Sequence, residues 1–214
     1  MSCQLPPTST LLIDVDAMCK LAHWNLLEPL PKITGVAAAA CATLPSCRHR
    51  AAKALNKLDK VFKCVEAATE VMRAVDTFGD LPQPDPNLLE PFQDVAGIDS
   101  GEAVMFARML EQPAAILLTG DKRAMRAAAA LPEDVREQIA ARVIPVECIV
   151  KCALDAFGLE ELRTRICPWK DIDKAISIVM GSRCDQPESS VREGLTSYLR
   201  ELTDLCEPSL IRSC

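Results

Sequence analysis

The stretch Ile116-Leu117-Leu118-Thr119-Gly120-Asp121-Lys122-Arg123 joins an apolar segment to a charged one within eight residues. The segment from Ala114 to Thr119 is too short and too β-like for a helix, so it predicts a strand. Gly120 allows a sharp exit from that strand, and a helix is predicted from Asp121 to Ala130. Ligands of open α/β folds bind at the carboxyl ends of parallel strands, so a carboxylate at this position is a candidate site residue.

A second acidic segment precedes this strand and has the form Gly-Ile-Asp-Ser-Gly-Glu-Ala at residues 97–103. Asp99 or Ser100 is predicted to cap a helix that runs to about Leu110, because both residue types are preferred at helix N-termini. Glu102 lies in the first turn of that helix, where the helix dipole favours a negative charge. Capping is therefore one interpretation of these acids, and ligand binding is another.

A third segment, Leu11-Leu12-Ile13-Asp14-Val15-Asp16, repeats the order of an apolar strand followed by carboxylates. A strand is predicted at residues 10–15 and a helix at residues 16–27. Carboxylates brought by three elements to one edge of a sheet would form an oxygen-rich pocket that suits a hard divalent cation. The sequence therefore indicates metal-dependent hydrolysis.

The remaining segments alternate between strand and helix patterns. The predicted order continues with a strand at 33–36, a long helix at 48–77, a Pro-rich loop at 79–97, a helix at 132–141, a strand at 143–146 and a helix at 147–157. This alternation predicts an α/β fold with a parallel central sheet flanked by helices. After Gly158 only helices are predicted, at about 159–166, 169–181 and 189–206. We therefore predict one α/β domain at residues 8–160 and an all-helical C-terminal extension at 161–214.

The composition excludes several classes of protein. The chain is 49% hydrophobic but only 4% aromatic, and its net charge of −6 is unlike that of a general polyanion binder. It has no apolar run long enough to span a membrane and no basic-then-apolar signal peptide, so we expect a cytoplasmic protein without membrane contacts. The 11 cysteines are an odd number and show no zinc-type pairs, which favours reduced, mostly buried thiols.

These motifs together resemble the PIN-domain nucleases. The resemblance rests on LLIDVDAM at residues 11–18, on DSGEAVMFARMLEQPAAILLTGDKRAMRAAA at 99–129 and on the IPVE step at 144–147. It covers about residues 10 to 160, and its middle part is the most specific. It implies a ribonuclease that hydrolyses RNA with Mg²⁺ or Mn²⁺ held by carboxylates at the sheet edge.

The resemblance also implies roles for individual residues. Asp14, Glu102 and Asp121 would be the catalytic metal ligands, and Asp16 and Asp99 would be ligands through water or orienting groups. A bound cation lowers the pKa of water and neutralises charge on the attacked phosphate. For Asp14 and Asp121, a role as a helix cap is the plain alternative.

Residues of a second kind are candidates for RNA binding. Thr119 could hydrogen-bond a ligand carboxylate, and Lys122 and Arg123 could contact phosphates. The spacing of Lys53, Lys57 and Lys60 places them on one helical face, which could guide an RNA backbone by contacts that do not depend on base sequence. The alternative for these lysines is an ordinary solvated helix face.

One departure from the family lies in the segment at residues 33–44, ITGVAAAACATL, which has no acidic residue where these nucleases usually have one. Glu66 or Glu70 would be the substitutes if the long helix passes the site. The departure leaves open a PIN-like binding module without activity, acting in a complex with a protein partner.

A haloacid-dehalogenase-like phosphohydrolase is a further alternative, because Ile13-Asp14-Val15-Asp16 also resembles the Asp-x-Asp motif of those enzymes. In that alternative Asp14 is the nucleophile and Asp16 the general acid. An inhibitory protein partner and a homodimer are both compatible with the resemblance to PIN nucleases.

Overall fold

The computed structural model describes residues 4–206 and 209–212, and its centre is a parallel sheet. Within these residues the sheet has five strands in the order β3-β2-β1-β4-β5. The strands are β1 (Thr10–Ile13), β2 (Cys41–Thr43), β3 (Gly79–Asp80), β4 (Ala115–Thr119) and β5 (Val143–Pro145). The predicted α/β class with a parallel central sheet is therefore confirmed.

Helices connect the strands and cover both faces of the sheet. The α-helices are α1 (Val15–His23), α2 (Leu30–Thr34), α3 (Pro45–Asn56), α4 (Val65–Thr77), α5 (Ser100–Glu111), α6 (Lys122–Ala127), α7 (Glu133–Ile139), α8 (Val146–Phe157), α9 (Leu159–Ile166), α10 (Lys174–Met180) and α11 (Glu188–Leu205). The Pro-rich loop predicted at 79–97 contains only β3 and a 3-10 segment, Pro86–Phe92. None of the helices within the described residues combines the length and the apolar composition needed to cross a membrane.

The strands divide the core into two layers. Leu11 and Ile13 face one layer, which includes residues of α1, α4 and α8, whereas Leu12 faces the other, which includes residues of α5, α6 and α7. All three side chains are completely buried. Each buried leucine or isoleucine contributes on the order of 1.5–3 kcal/mol. This burial fixes the register of β1 between β2 and β4, and so fixes the position of the residues that follow it.

The C-terminal helices share this core. Leu162 of α9, Ile176 of α10 and Val191 of α11 belong to the same hydrophobic cluster as Leu11. The chain then returns to the sheet, where Ile211 forms an isolated parallel bridge with Val143 of β5. Helices are therefore present after Gly158 as predicted, whereas residues 209–212 are not helical.

The predicted strand at residues 33–36 is wrong. α2 covers Ile33 and ends at Gly35, whose φ of 75° is left-handed. Within α2, the hydroxyl of Thr34 donates to the carbonyl of Leu30 at 2.9 Å, which satisfies a helical carbonyl group. The second strand lies later, at Cys41–Thr43 in the alanine-rich run, because pairing with β1 outweighs the helical preference of alanine.

The predicted single helix at residues 48–77 is also wrong, because a turn separates α3 from α4. In this turn one carboxylate oxygen of Asp59 accepts hydrogen bonds from the amides of Val61 and Phe62, both at 2.8 Å. The turn places the Phe62 ring in the core, where it is completely buried. The side-chain hydrogen bonds of Asp59 compete with the helical pattern, as aspartate often does in turns.

The prediction of reduced thiols is wrong for Cys148, Cys167 and Cys184, which are disulfide-bonded. A disulfide joins Cys167, just after α9, to Cys184, just after α10. Cys19, Cys41 and Cys47 are buried free thiols, as expected. Burial raises the pKa of Cys41 and of Cys47 to about 12, so both remain protonated near neutral pH.

Candidate functional site

Acidic residues follow the carboxyl ends of the central strands. Asp14 follows β1, Asp121 follows β4 after one glycine, and Glu147 lies in the first turn of α8 directly after β5. Glu102 reaches the same region from α5, and Asp173 reaches it from the cap of α10. We call this region, with Asp16 of α1, the carboxylate edge.

Asp14 is tied to the end of β4. Its backbone N–H donates to the carbonyl of Leu118 at 2.9 Å, and its carboxylate accepts a hydrogen bond from the Thr119 hydroxyl at 3.2 Å. The carboxylate makes no capping bond to α1, although Asp14 is the N-cap residue. Burial, followed by repulsion from Asp16, raises the pKa of Asp14 to about 6. The structure therefore leaves this carboxylate without the capping role that was its plain alternative.

Asp99 and Glu102 form a capping box at the start of α5. Asp99 Oδ1 accepts from the amide of Glu102 at 2.9 Å, and Glu102 Oε2 accepts from the amide of Asp99 at 2.6 Å. Glu102 is only 7% exposed. Burial raises the pKa of Glu102 to about 7, an effect that the hydrogen bond from Asp99 opposes and the nearby Asp121 reinforces. The capping interpretation therefore applies to both residues in this structure.

Asp121 caps α6 and contacts Glu102. Its carboxylate accepts from the amides of Arg123 at 2.7 Å and Ala124 at 3.3 Å, and it forms a 3.0 Å ion pair with the Arg123 guanidinium. Burial opposes its charge, but the hydrogen bonds from Arg123 outweigh burial and lower the pKa of Asp121. The carboxyl groups of Asp121 and Glu102 lie within hydrogen-bonding reach of each other. Thr119 joins Asp121 to Asp14, because its hydroxyl accepts from the Asp121 amide at 3.0 Å.

The side chains of these residues are of the type that binds a hard cation, but they are not arranged around a common point. Carboxylate and hydroxyl oxygens are the ligands of Mg²⁺ and Mn²⁺. Within residues 4–206 and 209–212, however, no group of three or more His, Cys, Asp or Glu side chains is placed to hold a metal ion. One oxygen of Glu102 and one oxygen of Asp121 accept capping bonds, and the second oxygen of Asp121 pairs with Arg123, so a shared ion would have to displace the Arg123 guanidinium.

The carboxylate edge contains three residues that we did not predict. Lys20 of α1 lies 2.6 Å from Asp16 and 3.0 Å from Asp173, and Lys122 lies 2.6 Å from Glu147 and 3.8 Å from Asp173. Lys20 is four residues after Asp16 on a helix, which is a detectable ion-pair spacing. Glu147 belongs to the quoted IPVE step. Nothing in the sequence links Asp173 to these residues.

The lysines point into the fold. Lys122 was a candidate for phosphate binding, but its ammonium group contacts Glu147, which is completely buried. Burial opposes the charge on Lys20, yet Asp16 and Asp173 outweigh burial and raise the pKa of Lys20. The side chain of Arg123, by contrast, is 71% exposed. Of the two basic residues after Asp121, Arg123 is the more exposed, since the side chain of Lys122 is 26% exposed.

Gly120 is required by close contact with this network. A Cβ atom at Gly120 would lie 2.3 Å from Asp16 Oδ2 and 2.7 Å from Lys20 Nζ. Cβ atoms essentially never make contacts this short, so the ends of the Asp16 and Lys20 side chains would have to shift. The glycine between Thr119 and Asp121 therefore lets the β4 end approach α1, in addition to ending the strand.

The prediction that Lys53, Lys57 and Lys60 share one helical face is wrong, because α3 ends at Asn56. The three lysines are exposed and lie away from Asp14. Lys53 and Lys57 are on or just after α3, and Lys60 is in the turn before α4. The amide of Lys63 in this turn donates to His23 Nε2 at 3.2 Å, which places the turn at the C-terminal end of α1. Asp14 lies at the opposite end of that helix, about 13 Å away by the rise of an α-helix.

The acidic residues considered as substitutes also lie elsewhere. Glu66 and Glu70 line a groove of about 650 Å³ beside α4. Glu70 Oε1 accepts from the amide of Leu27, beyond the C-terminal end of α1. Burial raises the pKa of Glu70 to about 7, against the hydrogen bonds from the loop after α1. In this structure neither glutamate supplies the acidic residue missing from residues 33–44.

Comparisons with known proteins give no family for this chain. No protein-family model matches the sequence, and no curated protein or solved structure matches it either.

Proposed function

We propose that this protein is a metal-dependent ribonuclease that hydrolyses RNA phosphodiester bonds at the carboxylate edge. The observation that supports the proposal most is a chain of contacts: Thr119 joins Asp14 to Asp121, and the carboxyl group of Asp121 lies within hydrogen-bonding reach of Glu102. Burial raises the pKa values of Asp14 and Glu102, and repulsion from neighbouring carboxylates adds to the effect. Such crowding is characteristic of sites that bind a cation or perform catalysis.

The proposal assigns a task to each side chain. Asp14, Glu102 and Asp121 would hold Mg²⁺ or Mn²⁺, with Asp16 and Asp99 orienting them or binding through water. The bound cation would activate water and neutralise charge on the phosphate. The Thr119 hydroxyl fixes the orientation of the Asp14 carboxylate, and the exposed Arg123 is positioned to contact a phosphate oxygen of the RNA.

We propose a PIN-like α/β core at residues 8–160 and a C-terminal extension at 161–214, in a cytoplasmic protein. Lys53, Lys57 and Lys60 would attract the RNA backbone at a distance from the cleavage site, since phosphate contacts need no base recognition. The protein would form a homodimer or bind an inhibitory protein partner.

The test is cleavage of a mixed RNA pool by the purified protein in Mn²⁺ and in EDTA. We expect cleavage in Mn²⁺ only, and its loss in folded Asp14→Asn and Asp121→Asn variants. Asp134→Asn is the matched control, because Asp134 is an exposed residue of α7 that does not lie at the carboxylate edge. Cleavage that persists in EDTA, or in both site variants, would exclude the proposed metal-dependent mechanism.

One observation favours the second candidate, a PIN-like binding module without activity. Glu102 and Asp121 use their carboxylates as helix caps, and no group of three or more potential ligands is placed to hold an ion within the described residues. Absence of both cleavage and Mn²⁺-induced thermal stabilisation would support this candidate. The phosphohydrolase alternative is less consistent with the structure, because its general acid, Asp16, is ion-paired with Lys20 at 2.6 Å.

A further inference from the structure

The residues of the carboxylate edge differ in their positive partners. Asp16, Glu147 and Asp173 form ion pairs with Lys20 and Lys122, and we call these five residues the lysine-paired half.

Asp14, Glu102 and Asp121 form the other half of the edge. Within the described residues, the ion pair that involves these acids is the one between Asp121 and the largely exposed Arg123. Such an exposed pair contributes little, because water and salt screen it. This half therefore lacks a strong counter-ion of its own.

Three residues of the lysine-paired half are shielded from water: the side chains of Lys20, Asp173 and Glu147 are 12%, 3% and 1% exposed. The side chains of Asp16 and Lys122 are 46% and 26% exposed. Coulomb energies between charges are several times larger at shielded positions than in bulk water. The Lys20 ammonium group is therefore a fixed local charge, and the Lys122 ammonium group is held by its contact with the buried Glu147.

Asp173 is the centre of this half and comes from the C-terminal helices. Its Oδ2 lies 3.0 Å from Lys20 Nζ and 3.8 Å from Lys122 Nζ, while its Oδ1 accepts from the amide of Ile176 at 3.1 Å and caps α10. The capping bond fixes one oxygen, and the other oxygen is directed at the lysines. The C-terminal helices thus hold α1 and α6 in place through one carboxylate.

We propose that Lys20 and Lys122, positioned by Asp173, supply the positive charge of the lysine-paired half, so that the carboxylate edge binds one divalent cation at Asp14, Glu102 and Asp121. This inference rests on the proposed function. Asp173 is then a positioning residue, because it acts through the lysines and not on the substrate.

The proposal predicts opposite effects for opposite charges. Asp173→Asn removes a negative charge and leaves two acids paired with two lysines, so the attraction of this half for the cation falls and its binding weakens. Lys20→Met removes a positive charge and strengthens binding. A unit charge about 10 Å from a divalent cation, at an effective dielectric constant of about 20, changes a binding constant by on the order of a hundredfold.

The experiment is titration of the full-length protein with Mn²⁺, followed by calorimetry and by the loss of the free Mn²⁺ paramagnetic resonance signal. We expect one Mn²⁺ per wild-type chain, binding weaker by on the order of a hundredfold in Asp173→Asn, and tighter binding in Lys20→Met. Two Mn²⁺ ions per chain would overturn the proposal. Shifts of the two variants in the same direction would also overturn it, because a merely structural role predicts weaker binding in both.

A second pair of variants separates an effect of charge from an effect of misfolding. Removing one partner of a buried ion pair destabilises a protein strongly, whereas removing both is often tolerated. Glu147→Gln should weaken Mn²⁺ binding, and Lys122→Met/Glu147→Gln should restore it to the wild-type value. Failure of the double variant to restore binding would contradict the proposal.

The same titration separates this proposal from the proposed function. No Mn²⁺ binding by the wild type, or equal binding by Asp14→Asn, would overturn both. Binding that depends on Asp14 but shows the wrong signs in the Asp173 and Lys20 variants would overturn only the assignment of the lysine-paired half.

Discussion

Replacing Asp14 with asparagine should stabilise the metal-free protein while abolishing its metal response. The structure holds the Asp14 carboxylate in a half-buried position beside Asp16, which raises its pKa from 3.8 to about 6. Each pKa unit corresponds to about 1.4 kcal/mol of difference between the two protonation states. At pH 8, where Asp14 is ionised, its charge therefore costs the folded state about 3 kcal/mol.

The sign of this effect follows from proton linkage. The folded-state pKa of Asp14 exceeds the unfolded value, so the folded state binds the proton more tightly. Its stabilising contribution is present below about pH 4 and is lost as the pH rises to about 6. Asparagine is neutral at every pH and can accept the same hydrogen bond from Thr119. After allowance for partial solvent screening, we expect Asp14→Asn to raise the free energy of unfolding by about 1–3 kcal/mol at pH 8 and by almost nothing at pH 4.

The assay is urea unfolding and thermal unfolding in EDTA at pH 4 and pH 8. For a chain of this length, the expected gain corresponds to a rise in Tm of roughly 2–10 °C at pH 8. Added Mn²⁺ should raise the Tm of the wild type and not that of Asp14→Asn. The reasoning is refuted if Asp14→Asn is less stable than wild type in EDTA at pH 8, or if the difference between the two proteins is the same at both pH values.

Other parts of the structure give three further predictions. Asp99→Ala removes the cap of α5 and should lower the free energy of unfolding by about 1 kcal/mol in urea titrations; no change would contradict the capping box. Gly120→Ala forces a Cβ atom onto Asp16, so a loss of roughly 1–3 kcal/mol is expected, and a neutral result in the same assay would disprove the close approach. Replacing both Cys167 and Cys184 with serine should lower the free energy of unfolding by about 2–4 kcal/mol in urea titrations without reductant, and an unchanged value would contradict this contribution of the disulfide.

The sequence predicted the parts of the site that depend on short local signals. The strand that ends at Thr119, the helix after Asp99 and the acids at their ends all follow from neighbouring residues, and the structure has them where we expected. Their function as ligands remains a prediction, because the structure shows Asp99, Glu102 and Asp121 in capping bonds.

The elements that we missed depend on partners distant in the sequence. The alanine-rich run at 37–42 contains no strand signal, and Cys41 becomes extended because it pairs with Leu11. Asp173 joins Lys20 only after the C-terminal helices have packed on the core. Local propensity does not contain such tertiary information.

The return of the C-terminal segment to β5 also protects the sheet from other molecules. Open strand edges offer unpaired backbone groups that can pair with a second chain. Here Leu210 accepts from the amide of Val143 at 3.2 Å, and Arg212 donates to the carbonyl of Val143 at 2.8 Å, so the chain covers its own edge. The opposite edge strand, β3, is only two residues long. We therefore expect a chain shortened to Leu205 to expose the edge of β5 and to self-associate more readily.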